Sequence, residues 1–127
     1  MSDVQLGEDL LGRLRARGGY DERGYLFLLA AVDFLQGRLD VRRHVTGAEL
    51  AWACRDLALD RFGKLAPSVL GHWGITRTED FGRIVFDLVD LGLLVTQPGD
   101  SESDFAGVFD FGEAFGGPYI WQGVPAR

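Results

Sequence analysis

The chain has few of the side chains that build disulfides, redox centres or metal sites. Its 127 residues include one cysteine and two histidines. A single cysteine, Cys54, cannot form an internal disulfide, and a reducing cytoplasm is its simplest setting. His44 and His72 lack the close spacing of a zinc site, although ligands from distant elements could still converge. We therefore expect no metal and no cofactor.

Long apolar runs and a secretion signal are also missing. The longest apolar run, from Tyr25 to Val32, has eight residues, whereas a membrane helix needs about 20. The N-terminus has no basic region followed by an apolar stretch and a small-residue cleavage site. Hydrophobic residues make up 46% and charged residues 25% of the chain, which is ordinary for a globular protein. These features predict a cytoplasmic protein that folds as a single domain over residues 1–127.

Positive charge is scarce towards the C-terminus. Residues 96–127 contain five acids and one base, Arg127, in a chain whose net charge is −6. An acidic surface repels phosphate backbones and lipid headgroups. We therefore expect another protein as partner, with nucleic acid less favoured and no membrane binding. The oligomeric state is left open.

Helical periodicity and capping residues predict four to five helices. An amphipathic N-terminal helix lies within residues 1–19. A second helix, over about residues 21–39, is apolar on all sides and is predicted to be the central element. Thr46 then begins a third helix that ends near Phe62, and Glu49 completes the capping-box spacing.

The rest of the chain is predicted to end in a hairpin. Pro67 suits the first turn of a short helix, and Thr78 is the expected N-cap of the next. After that helix the period changes, and residues 93–97 and 105–111 indicate two strands. Turn residues at 98–101 separate them.

This order of elements predicts a mainly α fold with a small β element (α+β). Residues 20–115 form a winged-helix-like core of four to five helices with a C-terminal acidic β-hairpin. Residues 40–45 could add a small strand. Residues 116–127 form a tail rich in glycine, proline and aromatic residues.

The helix that begins at Thr78 has the place of a recognition helix in a winged-helix domain. Its exposed face would meet phosphates and base edges, yet that face carries three acids and one arginine. We therefore predict a non-enzymatic protein-interaction module with an acidic, aromatic surface. The residues assigned to that surface are Glu79, Arg83, Phe86, Asp87, Asp90, Trp52 and Trp121.

Two of these aromatic residues have a competing interpretation. Trp52 lies opposite the main apolar face of its helix, so it is either sandwiched between two layers or directed towards a partner, and sandwiching is favoured. Trp121 belongs to the segment Tyr119-Ile120-Trp121, which is expected to dock on its own domain rather than on a partner.

Nucleic-acid binding and catalysis are the alternatives. A nucleic-acid interface would use the arginines outside the predicted recognition helix, which are Arg13, Arg15, Arg17, Arg38, Arg42 and Arg43. An enzyme would need a pocket that gathers His44, His72 and acids. Cys54 lies on an apolar helix face, where a thiol is usually inert. The acids of residues 100–104 resemble the start of a calcium loop, but the later ligand positions do not fit.

An ordered set of short motifs resembles an uncharacterised family that recurs in planctomycete and verrucomicrobial genomes. The resemblance covers roughly residues 20–118. The motifs are Arg43-His44-Val45-Thr46-Gly47, Glu49-Leu50, Leu57-Ala58, Phe62-Gly63, Trp73-Gly74-Ile75, Thr78-Glu79-Asp80-Phe81-Gly82, Leu91-Gly92-Leu93-Leu94, Asp100-Ser101, Asp104-Phe105 and Phe109-Asp110-Phe111. Since that family has no assigned activity, the resemblance implies no cofactor, partner or site residue.

Overall fold

The computed structural model describes residues 12–14, 16 and 19–116. Residues 12–14 and 16 are helical, and Leu14 is buried in the core. The helices that follow are α1 (Glu22–Arg38), α2 (Gly47–Phe62), α3 (Ala66–His72), α4 (Thr78–Asp90) and α5 (Phe111–Gly116), with 3-10 helices at Gly63–Leu65 and Glu102–Phe105. Within the described ranges, no helix is long and apolar enough to cross a bilayer.

The predicted winged helix is wrong, because residues 19–116 contain no strand and no hairpin. The first predicted strand, 93–97, is irregular backbone that follows the end of α4. Gly92 there has φ +81°, and the Leu93 N–H donates to the carbonyl of Leu88 at 2.9 Å. This left-handed glycine closes the helix. Residues 40–45 form no strand either.

The acids expected at a hairpin tip instead cap short helical turns. The Gln97 N–H donates to Oδ2 of Asp100 at 2.8 Å, and the Ser101 N–H donates to Oδ2 of Asp104 at 3.0 Å. Aspartate side chains satisfy backbone N–H groups in this way at turns and helix starts. The second predicted strand, 105–111, is replaced by the end of a 3-10 helix and the start of α5.

The central position belongs to α2 and not, as predicted, to α1. It packs against all four other helices named above and against both 3-10 helices. Small side chains allow its neighbours to approach closely. The residues of α2 that are buried are Leu50, Ala51, Ala53, Cys54, Arg55, Asp56, Leu57 and Ala58.

Phe105 joins the loop after α4 to the helix core. Its side chain is 3% exposed and contacts two glycines on different helices. A Cβ atom at Gly82 of α4 would lie 3.0 Å from the Phe105 Cβ, and a Cβ at Gly47 of α2 would lie 3.1 Å from Cε1. Both helices therefore use glycine where the ring of Phe105 passes.

Several predicted helix boundaries are confirmed. The Glu49 N–H donates to Thr46 Oγ1 at 3.0 Å, and the Thr46 N–H donates to Glu49 Oε1 at 2.9 Å, which completes the capping box. Pro67 lies in the first turn of α3. Thr78, in contrast, is not an N-cap: it is buried in the first turn of α4, where its Oγ1 accepts the N–H of Val108 at 3.2 Å.

Candidate functional site

An apolar cavity of about 150 Å³ lies between α1, the N-terminal end of α2, α4 and the loop that follows α4. Val32 of α1, Leu50 of α2 and Val89 of α4 contribute to its walls. The other residues that line it are Gln36, His44, Val45, Thr46, Gly47, Val85, Phe86, Leu94, Val95, Thr96, Asp100, Ser101, Asp104 and Phe105. The cavity is therefore mostly aliphatic and aromatic, with polar groups from two loops.

A hydrogen bond joins these two loops, and both of its residues line the cavity. His44 Nε2 lies 3.1 Å from Asp100 Oδ1, although the residues are 56 apart in sequence. The hydrogen bond from the Gln97 N–H, assisted by His44, holds the pKa of Asp100 below its ordinary value. Asp100 therefore keeps its negative charge at neutral pH, beside the exposed carboxylate of Asp104.

A polar cleft of about 500 Å³ lies along the other flank of α4. Tyr20 donates to Asp80 Oδ1 at 2.6 Å, and Tyr25 donates to Asp87 Oδ2 at 2.8 Å. The residues that line this acidic cleft are Gly19, Tyr20, Gly74, Asp80, Arg83, Asp87 and Glu102. Arg83 Nε is 4.0 Å from Glu102 Oε2, and both side chains are more than half exposed, so this pair contributes little to stability.

The exposed side of α4 separates the apolar cavity from the acidic cleft. We call this side the α4 ridge, and it consists of Glu79, Arg83, Phe86 and Asp90. Helical geometry turns each residue by about 100° from the one before it. Phe86 therefore lines the apolar cavity, and Asp87, the next residue, lines the acidic cleft.

The structure thus brings five of the predicted surface residues together on one side of α4. It separates them from Trp52, which lines neither the cavity nor the cleft. The partly buried Trp52 ring packs against Phe109, with 4.6 Å between centroids, and the Arg55 guanidinium lies 5.1 Å from the Trp52 ring. The Trp52 ring thus packs against residues of its own domain. Trp121 lies outside the described residues.

The described arginines of the nucleic-acid hypothesis differ in their surroundings. Arg43 makes a bidentate pair with Glu49, at 2.8 and 3.2 Å, and this carboxylate offsets its charge. Arg42 and Arg13 are exposed, and Arg13 borders a third cleft beside Asp87. Arg38 lies over the ring of Phe34 at 5.2 Å. Arg15 and Arg17 lie outside the described residues.

The residues considered for catalysis do not lie together in one site of the described structure. Cys54 is fully buried, and burial raises the pKa of its thiol well above the ordinary value. His72 is exposed at the end of α3 and does not line the cavity with His44. Ser101 lines that cavity, but its hydroxyl is hydrogen-bonded to Ser103 at 2.9 Å. In the described part of the chain, no group of three or more histidine, cysteine or acidic residues is arranged to hold a metal ion.

The sequence alone did not reveal the cavity. The spacing of Val85, Val89 and Leu50 is that of ordinary core positions. Apolar residues have the same periodicity whether they pack tightly or line a gap between helices, so the spacing does not indicate a cavity. The hydrogen bond between His44 and Asp100 depends on two loops meeting, for which the sequence carries no signal.

No family model, curated protein or solved structure matches the chain. The resemblance to a planctomycete and verrucomicrobial family therefore stays a prediction.

Proposed function

We propose that this protein is a cytoplasmic protein-interaction module that binds a partner segment along the α4 ridge. One observation carries the proposal: a single helix presents an exposed ridge with an apolar cavity on one flank and an acidic cleft on the other. Interfaces of this kind combine a buried apolar anchor with polar groups that set orientation.

The charge of the surface indicates what kind of partner would fit. Asp80, Asp87 and Glu102 line the cleft together with one base, Arg83, and the whole chain carries a net charge of −6. Complementary potentials speed encounter and exclude partners of like charge. The partner segment is therefore basic as well as apolar.

Nucleic acid is the weaker alternative. A phosphate interface needs several cations that are free to replace counterions. Arg43 is already paired with Glu49, and the α4 ridge offers Arg83 between two acids. We therefore favour a protein partner over nucleic acid.

Catalysis has less support than binding among the described residues. His44 and Asp100 form a dyad, but the Ser101 hydroxyl, the nearest candidate nucleophile in sequence, is bonded elsewhere. A nucleophile needs a base within hydrogen-bond reach. The geometry therefore supports binding better than reaction.

A peptide selection tests the proposal. The purified full chain is used to select from a random peptide library displayed on phage, and the affinities of the enriched peptides are measured in solution. We expect the enriched peptides to combine bulky apolar residues with lysine or arginine. Phe86→Ala should weaken their binding by about tenfold or more, as truncation of a central interface aromatic does.

The matched control is Leu65→Ala. Leu65 is 66% exposed and lines neither the cavity nor the cleft, so its truncation should leave the affinity unchanged. Failure to enrich any peptide, or equal effects of the two substitutions, would overturn the proposal. A parallel titration with DNA and RNA at low salt decides the alternative, since a phosphate interface weakens steeply as salt is added.

A further inference from the structure

The size of the apolar cavity limits what it can hold. Its volume of about 150 Å³ equals that of an engineered protein cavity lined by leucine, isoleucine and phenylalanine, which stays dry and binds benzene. Pockets for whole drug-sized ligands are larger, at about 300–1,000 Å³. The cavity therefore has room for one group of about six carbons and not for a nucleotide.

The walls of the cavity favour an apolar occupant. Leu50 and Phe105 are buried at 5% and 3% exposure, and Val85 at 8%. These side chains present hydrocarbon to the cavity, so an apolar group that enters it exchanges water contact for packing. Val95, at 88% exposure, stands beside the cavity on the solvent side.

The polar groups of the same cavity carry negative charge. Asp100 and Asp104 both line it. The carboxylate of Asp100 bonds with the imidazole of His44, and one Asp104 oxygen accepts the Ser101 N–H. Carboxylates have about four lone-pair sites each, so both can accept a further donor. A cation attached to the apolar occupant is complementary to this side of the cavity, whereas an anion is repelled.

We infer that the cavity anchors one apolar side chain of the partner segment, of the size of leucine, isoleucine or phenylalanine. A lysine or arginine of the same segment then lies over Asp100 and Asp104. This inference rests on the proposed function, and it adds the kind of residue that enters the cavity and the kind that lies beside it.

Small probes test the anchor independently of any partner. The full chain is titrated with benzene, benzylamine, benzyl alcohol and benzoate, and binding is followed by amide chemical-shift changes in NMR. We expect benzene to shift the amides of Leu50, Val85 and Val89. Benzylamine should bind about two- to fivefold more tightly than benzyl alcohol, the range of an exposed ion pair, and benzoate should bind most weakly.

Two pairs of variants locate the effects. Val89→Phe and Val32→Phe fill the cavity and should abolish benzene binding, whereas Val69→Phe, at a partly buried position that does not line the cavity, should not. Asp104→Asn should remove the preference for benzylamine. Asp110→Asn changes another exposed aspartate that caps a helix, through the Glu113 N–H, and should preserve that preference. Unfolding curves of each variant show whether it is folded.

The outcomes separate the inference from the proposed function. If benzene leaves the amides of Leu50, Val85 and Val89 unshifted, or if Val89→Phe and Val32→Phe still bind it, the anchor is refuted, even where selected peptides bind the α4 ridge. If benzylamine and benzyl alcohol bind equally well, the inference that a lysine or arginine of the partner lies over Asp100 and Asp104 is refuted. If the probes bind as expected but the library yields no peptide, the proposed function fails while the cavity remains a site for small apolar cations.

Discussion

The phenol of Tyr20 donates to Oδ1 of Asp80 at 2.6 Å, and Oδ2 of the same carboxylate accepts the N–H of Thr76 at 2.9 Å. The Arg77 N–H, at 3.2 Å, bonds to Oδ2 as well. One side chain thus caps α4 and ties its start to a residue 60 positions earlier. Asp80 is 7% exposed, so these donors replace most of its contact with water.

Removing the phenol oxygen should destabilise this junction. In Tyr20→Phe, Oδ1 of Asp80 loses its donor while staying largely buried, which costs about 1–3 kcal/mol. Urea denaturation gives the free energy of unfolding. An unchanged midpoint would show that water replaces the phenol without cost.

The hydrogen-bonded pair of Tyr20 and Asp80 should make the protein less stable at high pH. Burial and then the hydrogen bond to Asp80 raise the pKa of Tyr20 to about 12, whereas an unfolded tyrosine ionises near pH 10. Between these values the unfolded state has lost a proton that the folded state keeps, so stability falls as the pH rises. Tyr20→Phe should flatten this part of the stability curve. An absorbance titration of the folded protein should show one more late-ionising phenol in the native chain than in the variant.

Asp56 should make the protein more stable in mild acid than at neutral pH. It is fully buried on α2. Burial raises the pKa of Asp56 to about 6, although Arg55, 2.7 Å away, and Arg38 oppose the shift. Because the unfolded pKa is near 4, the unfolded state releases its proton first as the pH rises, and stability falls by about 2 kcal/mol between pH 4 and 7.

Asp56→Asn should remove most of this slope, because asparagine does not titrate. The measurement is the free energy of unfolding across that pH range. Asp60→Asn, which alters an exposed acid on the same helix, controls for the loss of one carboxylate. Equal slopes in the native chain and in Asp56→Asn would contradict the prediction.

Gly82→Ala should cost stability, since the added Cβ would lie 3.0 Å from the carbonyl oxygen of Glu102 and from Phe105 Cβ. Overpacking of this kind costs about 1–3 kcal/mol. Gly37→Ala is the matched change in α1, where nothing lies within 4 Å of the new Cβ, and it should stabilise the protein by up to about 1 kcal/mol. Thermal unfolding of both variants gives the comparison, and a shift in the same direction for both would refute it.

Phe105→Ala should release the loop after α4 from the core. Deleting a buried phenylalanine ring costs about 3–5 kcal/mol, and the cavity should gain volume because Phe105 forms part of its wall. Val95→Ala, at a residue of the same loop that is 88% exposed, should change stability by less than about 0.5 kcal/mol. Hydrogen exchange of residues 93–105 should accelerate in Phe105→Ala alone.

The sequence predicted the helices wherever the signal was local. Thr46 and Glu49 are three residues apart, and Pro67 acts within its own turn, so neighbouring residues contain all the information. Thr78 shows the limit of this approach. It is a good capping residue, but the carboxylate of Asp80 takes the N–H groups before α4, and the Thr78 hydroxyl serves the distant Val108 instead.

The predicted C-terminal hairpin was wrong for a related reason. Short apolar segments such as 93–97 and 105–111, separated by turn residues, are typical of strands, yet pairing depends on what the acids between them do. Asp100 and Asp104 bond to backbone N–H groups close by, and Phe105 finds space between Gly47 and Gly82. The position of that space follows from the packing of α2 against α4, which periodicity does not show.

The candidate site was predicted in part. Helical spacing placed Glu79, Arg83 and Phe86 on the outer side of α4, where the structure has them. It did not show that the adjacent residues Phe86 and Asp87 line different sites, the apolar cavity and the acidic cleft. That distinction requires the loop residues that close the cavity, and these come from distant parts of the sequence.

Through Phe105, the packing of α2 against α4 also determines how much space the cavity has. One ring touches α2 at Gly47, α4 at Gly82 and the interior of the cavity. A side chain added at either glycine would push this ring, so changes at the helix interface alter the space left for a guest. The range of groups that the cavity accepts can thus be tuned from Gly82, a position that does not line the cavity.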